Sequence, residues 1–201
     1  MLSATRQRLM LVYNQLAGPL AEQQNFVNPT LQKQLQKTCK ASLTALEKDR
    51  KAIDAAMNQL IANDNQLKAL FNLITSVPGI GMVTATEVII ATNELTTIPD
   101  AKKMACHAGV APFNYQSGTS VRGRPGVSQH ARKRLKSLFH LAAMSAIGVK
   151  GQLQDYYQRK VKEGKNKMLV LNAVRNKLIH RLYAVVKRGE KYDKNYAIAI
   201  A

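Results

Sequence analysis

Residues 113–141, FNYQSGTSVRGRPGVSQHARKRLKSLFHL, gather the residue types that could do chemistry. Ser117 stands between Gln116 and Gly118 with no apolar periodicity on either side, which predicts a loop and a reachable hydroxyl. Arg122, Arg124, Arg132, Lys133, Arg134 and Lys136 follow it, and no Asp or Glu occurs from Ala101 to Gln154. Such a stretch is suited to an anion. A serine hydroxyl is a weak nucleophile unless a base or a cationic setting helps it, and guanidinium forks can hold the oxygens of a phosphodiester in pairs. The plainer alternative is a Ser-Gly turn that hydrogen-bonds its own backbone, and the residues alone leave both open.

The charge balance sharpens the partner class. The 201 residues carry a formal +18, but residues 101–189 hold 19 Lys/Arg against Asp155 and Glu163, a net of +17, while the remainder is close to neutral. A short basic run can be a solvated helix face. An excess of this size in one segment repels itself unless a polyanion neutralises it, and the phosphate backbone of DNA or RNA is the usual one. A membrane surface fits less well, because the basic helices lack tryptophan and have few aromatic anchors. There is no run of eighteen apolar residues and no signal-peptide pattern at MLSATRQRLM, so a cytosolic protein is expected. Cys39 and Cys106 suggest neither a disulfide frame nor a metal knuckle and read as small buried residues, and no metal ligands are assigned in this chain.

The elements that must position this stretch read as helices throughout. Leu9, Val12, Tyr13, Leu16 and Leu20 predict an amphipathic helix, kinked or split at Gly18-Pro19. Asn28-Pro29 starts a longer helix over 30–69, in which Cys39, Leu46, Ile53, Leu60 and Leu67 recur every seven residues. That predicts a coiled coil or helical hairpin about 60 Å long, at about 1.5 Å per residue, able to join two copies of the chain into a homo-oligomer. The stripe fits equally an ordinary helix packed on the first. Residues 71–92 read as helix, tight corner, helix around V-P-G-I-G, with Gly79 and Gly81 at the turn. This resembles a helix-hairpin-helix, which grips a nucleic-acid phosphate through free helix N–H groups; a plain helical corner has the same glycines.

Asp100 begins a short helix with Ala101, Met104, Ala105 and Ala108 inward, ended by Gly109. His107 near its end, and His130 beyond the loop, are the histidines close enough in sequence to assist Ser117, though most such histidines are structural. Ser128 is placed to cap a basic amphipathic helix over 129–147 with Leu135, Leu138, Phe139 and Ala142 inward. A helix carrying Tyr156 and Tyr157 ends near Gly164, and the tyrosines either stack on bases or pack. A last helix over 167–187 buries Met168, Leu171, Val174, Leu178, Leu182 and Val185, with Arg175 among its polar positions. The expected fold class is all-α: residues 1–69 a helical linker, 70–188 a compact helical domain, and 189–201 a tail.

The blocks V-P-G-I-G, A-G-V-A-P-F-N-Y-Q-S-G and R-G-R-P-G-V-S-Q-H-A-R-K-R-L-K, in that order and spacing, resemble the C-terminal half of the IS-one-ten (IS-one-sixteen / IS-nine-oh-two) family of insertion-sequence transposases, over about residues 70 to 188. The resemblance implies a guide-RNA-directed DNA recombinase. In it, an N-terminal RuvC-like domain holds metal-binding acidic residues, a coiled coil follows, and a C-terminal domain bears a nucleophilic serine that falls on Ser117. It implies DNA and a guide RNA as partners and Mg²⁺ held in the RuvC-like part, while the residues themselves offer phosphate contacts at Gly79 and Gly81 of the corner and at Arg122, Arg124, Arg132, Lys133, Arg134 and Lys136 of the basic stretch. No strand-rich acidic segment stands in residues 1–69, so the resemblance further implies a truncated chain, a fragment or a degenerate copy, inactive without that part. Two other classes remain open: a non-catalytic helix-hairpin-helix nucleic-acid-binding protein, and a basic RNA-binding scaffold.

Overall fold

A computed structural model of the protein describes residues 1–22, 28–112, 116–117, 121–122 and 126–194, with the backbone alone for the two dipeptides. The protein is all-α. Its helices are α1 (Leu2–Glu22), α2 (Pro29–Asn63), α3 (Asn65–Thr75), α4 (Met82–Thr92), α5 (Ala101–His107), α6 (Lys133–Gly148), α7 (Gln152–Lys162) and α8 (Lys167–Arg188). The described exception is a two-residue antiparallel ladder between β1 (Gln116–Ser117) and β2 (Val121–Arg122). The chain divides into two compact units, Met1–Asn65 and Gln66–Ala201.

The first unit is an antiparallel hairpin of α1 and α2: Arg6 near the start of α1 pairs with Asp54 at 2.5 Å, and Gln32 near the start of α2 donates to the Leu20 carbonyl at 3.4 Å. Its seam is unusually polar, since Asp54 also takes Arg50 at 3.2 Å and Arg50 lies 3.8 Å from Glu47. Three sequence expectations change here. Helix α1 runs through Gly18-Pro19 unsplit, because Pro19 stands in the last turns and costs little of the ladder. The second helix breaks at Asp64, which takes extended backbone between Asn63 and Asn65, short polar side chains that favour helix ends. The seven-residue stripe is only partly inward: Cys39, Leu46, Ile53 and Leu67 are half-buried and Leu60 is 59% exposed, while the buried residues of α2, Met57 and Ile61, lie off the stripe. Asn28 caps α2, accepting from the Thr30 N–H at 2.9 Å.

In the second unit α8 is the central helix, packed against α5, α6 and α7, while α4 packs on α6. Leu171, Val174, Leu178, Ile179, Leu182 and Val185 fill its inner face beside Phe139, Leu135, Met104 and Val88. Each such side chain contributes roughly 1.5–3 kcal/mol on burial. Met168, expected inside, is exposed in the first turn of α8, and Arg175, expected outside, is 6% exposed. Residues 88–91 lie within α4. Glu87 on α4 is buried against Arg134 on α6, 2.9 Å apart, so the two helices are joined by charge as well as by packing.

The chain after α8 is not a loose end as far as it is described. Tyr192 donates its N–H to Ser76 Oγ at 2.8 Å and accepts from Arg181 at 2.8 Å, and Gln152 donates to the Lys194 carbonyl at 3.0 Å. Cys39 and Cys106 are free and half-buried rather than core residues.

Candidate functional site

The serine loop leaves the domain at Val110 and returns at Ala131, and its two ends are fastened together. The Arg132 N–H donates to the His107 carbonyl at 2.8 Å. Gly109 sits at φ +64, and a Cβ built there would come within 2.8 Å of Ala131 Cβ, so only glycine lets the outgoing and incoming strands of chain touch at this point. From α8, Asn172 donates to the Val110 carbonyl at 2.9 Å. Three helices therefore anchor the loop: α5 through His107, α6 through Arg132 and α8 through Asn172. Within it Ser117 pairs with Val121 and Gln116 with Arg122, which puts the serine and the first arginine on facing dipeptides of one ladder.

The fastening also corrects the start of the basic helix. Ser128 does accept from a following N–H, that of His130 at 3.2 Å, but it caps a turn rather than the helix. Because the Arg132 N–H is committed to His107, Arg132 takes extended backbone and becomes the N-cap, and α6 begins at Lys133. Arg132 and Lys133 are exposed there and Lys136 half-buried, with no acidic residue in the first turn of α6.

Other sequence-derived site residues are scattered by the fold. Arg124 lies outside the described residues, as do the side chains of Ser117 and Arg122. Arg134 faces inward to Glu87 rather than lying along the solvent-exposed side of α6 with Lys133. Gly79, at φ +91, presses on α6: a Cβ there would meet the Ala142 carbonyl oxygen at 2.5 Å and Ala146 Cβ at 2.8 Å. Gly81 is open, with nothing within 4 Å of a built Cβ, and as N-cap of α4 it offers no side chain to the first-turn N–H groups. Tyr156 carries Lys177 over its ring at 4.6 Å and Arg159 at 6.0 Å, so both of its cations come from the protein.

Two histidines border the loop base. His107 is half-buried, its Nε2 is enclosed without a hydrogen-bond partner, and burial, aided by the Arg132 charge, holds its pKa below the usual histidine value. His140, on α6, meets Arg175 of α8 through Nδ1 at 2.5 Å, and burial together with that guanidinium likewise lowers its pKa. Sequence reasoning missed His140 and Arg175, because 35 residues separate them and neither falls in the loop. His130 is exposed. Among the described residues no group of His, Cys, Asp and Glu stands together that could hold a metal ion, so the described site does not fit Mg²⁺.

This geometry, a Ser-bearing ladder on a cationic and carboxylate-free base, lies within a recognisable segment. Residues 71–158 match the Transposase IS116/IS110/IS902 family. The similarity to this family extends over that segment, under half of the chain. It includes the Gly79 corner, the Ser117 loop, the basic helix α6 and most of α7. Among curated relatives, the insertion element IS110 uncharacterized 43.6 kDa protein of Streptomyces coelicolor is 29% identical over 153 residues, 76% of this chain and 36% of its own length. The pilin gene-inverting protein of Moraxella bovis is 30% identical over 143 residues, 71% of this chain and 44% of its own. The insertion element IS116 uncharacterized 44.8 kDa protein of Streptomyces clavuligerus is 30% identical over 147 residues, 72% and 35% respectively. The chain thus spans between about a third and under half of the length of these relatives. No helix among the described residues is long and apolar enough to cross a membrane.

Proposed function

We propose that this chain is the DNA-binding, nucleophile-bearing part of a transposase or site-specific recombinase, and that Ser117 is its nucleophile. The observation that carries the reading is Ser117 itself, paired with Val121 on the dipeptide that faces Val121-Arg122, in a loop tied down at His107, Val110 and Arg132 and free of carboxylates. In the proposed step Ser117 Oγ attacks a DNA phosphorus. The Oγ–P bond forms, the bond from phosphorus to the 3′-oxygen breaks, the serine proton passes to a base, and the departing 3′-oxygen takes up a proton. The resulting phosphoserine ester retains the bond energy, so a second strand's hydroxyl can displace the serine, and rejoining rather than hydrolysis follows. That outcome suits the relatives named for insertion elements and for inverting a pilin gene.

Arg122 and Arg124 are the proposed holders of the non-bridging oxygens, where planar guanidinium forks stabilise developing charge best. His107, kept neutral by burial, suits the role of base chemically, although its Nε2 is enclosed, while His130 is the more accessible candidate. Mg²⁺ is proposed to be held by an acidic RuvC-like domain of the whole protein, and a guide RNA to direct it, with this chain inactive in their absence. Ser117→Ala should therefore abolish a covalent protein–DNA adduct.

Contact with DNA is proposed to run along Arg132, Lys133 and Lys136 of α6, with the open N-terminus of α4 at Gly81 as a further phosphate contact. Gly79 and Arg134 are given structural roles in this reading, because α6 and Glu87 occupy them. With about six phosphates neutralised, the slope of log K against log salt should be near −5. A fluorescence-anisotropy titration with duplex DNA measures it, and a flat response would remove nucleic acid as the partner.

Self-association through the first unit is proposed on its apolar exterior: no residue of α1 is buried, and Leu11, Leu31, Leu35 and Leu60 are exposed. Leu60→Lys should lower the sedimenting mass without loss of helicity. An unchanged mass would mean that the hairpin stands alone.

A further inference from the structure

Among the described residues Arg175 is a buried guanidinium with no carboxylate paired to it, those of α7, Asp155 and Glu163, included. At 6% exposure it has left water, yet α8 contains no acidic residue and neither does the stretch from Ala101 to Gln154 that forms α5, the loop and α6. Its Nε is enclosed with no hydrogen-bond partner, one NH2 group reaches Asn172 Oδ1 at a long 3.4 Å, and the other is 2.5 Å from His140 Nδ1. A buried cation with so few partners is unfavourable on its own, and it is stabilised by a nearby anion.

The contact with His140 fixes what that anion would meet. An arginine has only donors, so the ring nitrogen facing it must be an acceptor, which makes the imidazole neutral with its proton on Nε2. The half-exposed ring therefore has a hydrogen-bond donor on the side away from Arg175. One helical turn back on the same edge of α6 is Lys136, and another turn back is Arg132, so His140, Lys136 and Arg132 form a stripe at spacings of four. That stripe runs to the loop base, where Arg132 is bonded to His107 and Lys136 borders Gly109.

We propose that His140 and Lys136, with Arg175 behind the ring, form an anion site for one nucleic-acid phosphate at the foot of the serine loop. Arg175 is a positioning residue: it sets the His140 tautomer and supplies charge without touching the ligand. His140 donates through Nε2–H, and Lys136 supplies the full charge at the surface. The proposal rests on the DNA-binding reading above for the identity of the ligand, but not on Ser117 being a nucleophile.

The test uses the full chain with ¹⁵N-labelled histidine and two probes, inorganic phosphate and a duplex oligonucleotide. Long-range ¹H–¹⁵N correlation spectra, assigned with His140→Gln, should show His140 neutral with its proton on Nε2. Saturating phosphate should shift Nε2 and raise the His140 pKa, since a neighbouring anion favours the charged ring. Arg175→Met should release the tautomer and weaken phosphate binding by about tenfold or more, the scale of a charge-assisted hydrogen bond. His140→Gln, whose amide falls near the Nε2 position, should retain most of the binding, whereas His140→Asn, whose amide falls near Nδ1, should lose it. A purely structural pair would not separate those two variants. The proposal is overturned if His140 has its proton on Nδ1, if neither probe moves its signals, or if the Gln and Asn variants bind alike. Should Arg175→Met fail to fold, the paired His140 variants still decide. Loss of the phosphate response with an intact Ser117 adduct would sink this site alone, and the converse would sink the nucleophile alone.

Discussion

Exchange of Ser117 for alanine is expected to abolish a covalent protein–DNA adduct while leaving DNA affinity roughly as it was. The assay joins the chain to an upstream acidic nuclease-like domain and supplies guide RNA, Mg²⁺ and target DNA. The wild type should yield a species that survives denaturing electrophoresis and releases phosphoserine on digestion. Without Oγ no ester can form, so the loss should be complete rather than graded. Binding should persist because the substitution alters neither the charge of α6 nor the three ties at the loop base, through His107, Asn172 and Arg132. Adduct formation or recombination at the wild-type level in Ser117→Ala would refute the assignment. Thr119, Ser120 and Ser128 would then be the hydroxyls to examine, with Ser128 the weakest because its Oγ already accepts from the His130 N–H.

How far the sequence foretold this architecture depends on whether each signal was local. The three- and four-residue steps of Leu171, Val174, Leu178 and Leu182 announce the inner face of α8, since a buried helical stripe writes itself into apolar residue types. Asp100 and Asn166 cap α5 and α8 with side chains two residues from the N–H groups they accept, so these ends were readable. Arg175 was not readable, because its residue type says surface and only the approach of His140 from another helix makes the inside tolerable. The start of α6 failed for a similar reason: Ser128 is a good cap by type, but the pull of the His107 carbonyl on Arg132 decides the boundary. In the first unit the heptad stripe misled at Leu60 because Arg6, Asp54 and Arg50 share the seam, and charged residues are invisible to a count of apolar ones. Within the candidate site, Ser117, Arg132 and Lys136 were legible as a cationic loop and helix edge, whereas the inward turn of Arg134 to Glu87 needed the packing of α4 on α6.

The two glycines of V-P-G-I-G look equivalent in sequence, and their substitutions are expected to diverge sharply. Gly79→Val should destabilise the second unit by about 2–6 kcal/mol, the sum of strain in left-handed backbone and overpacking against a close neighbour. The strain arises at φ +91, a conformation that a β-branched side chain resists. The overpacking arises because the nearest atom, 2.5 Å from a built Cβ, is the Ala142 carbonyl oxygen in the middle of α6, which cannot move without bending the helix that carries Lys133 and Lys136. Gly81→Ala meets nothing within 4 Å, and its φ of −92 is ordinary, so only the N-cap preference of α4 is lost, about 0.5–1 kcal/mol. Thermal unfolding followed by circular dichroism separates the two. DNA binding then tells which glycine serves the ligand. If α4 contacts phosphate, a folded Gly81→Asp variant should bind DNA more weakly, its carboxylate occupying the N–H groups that a phosphate would take. Gly79→Val should lose binding only in proportion to the fraction unfolded. A stable Gly79→Val protein with weakened DNA affinity would instead place the phosphate at Gly79 and return the corner to the helix-hairpin-helix role.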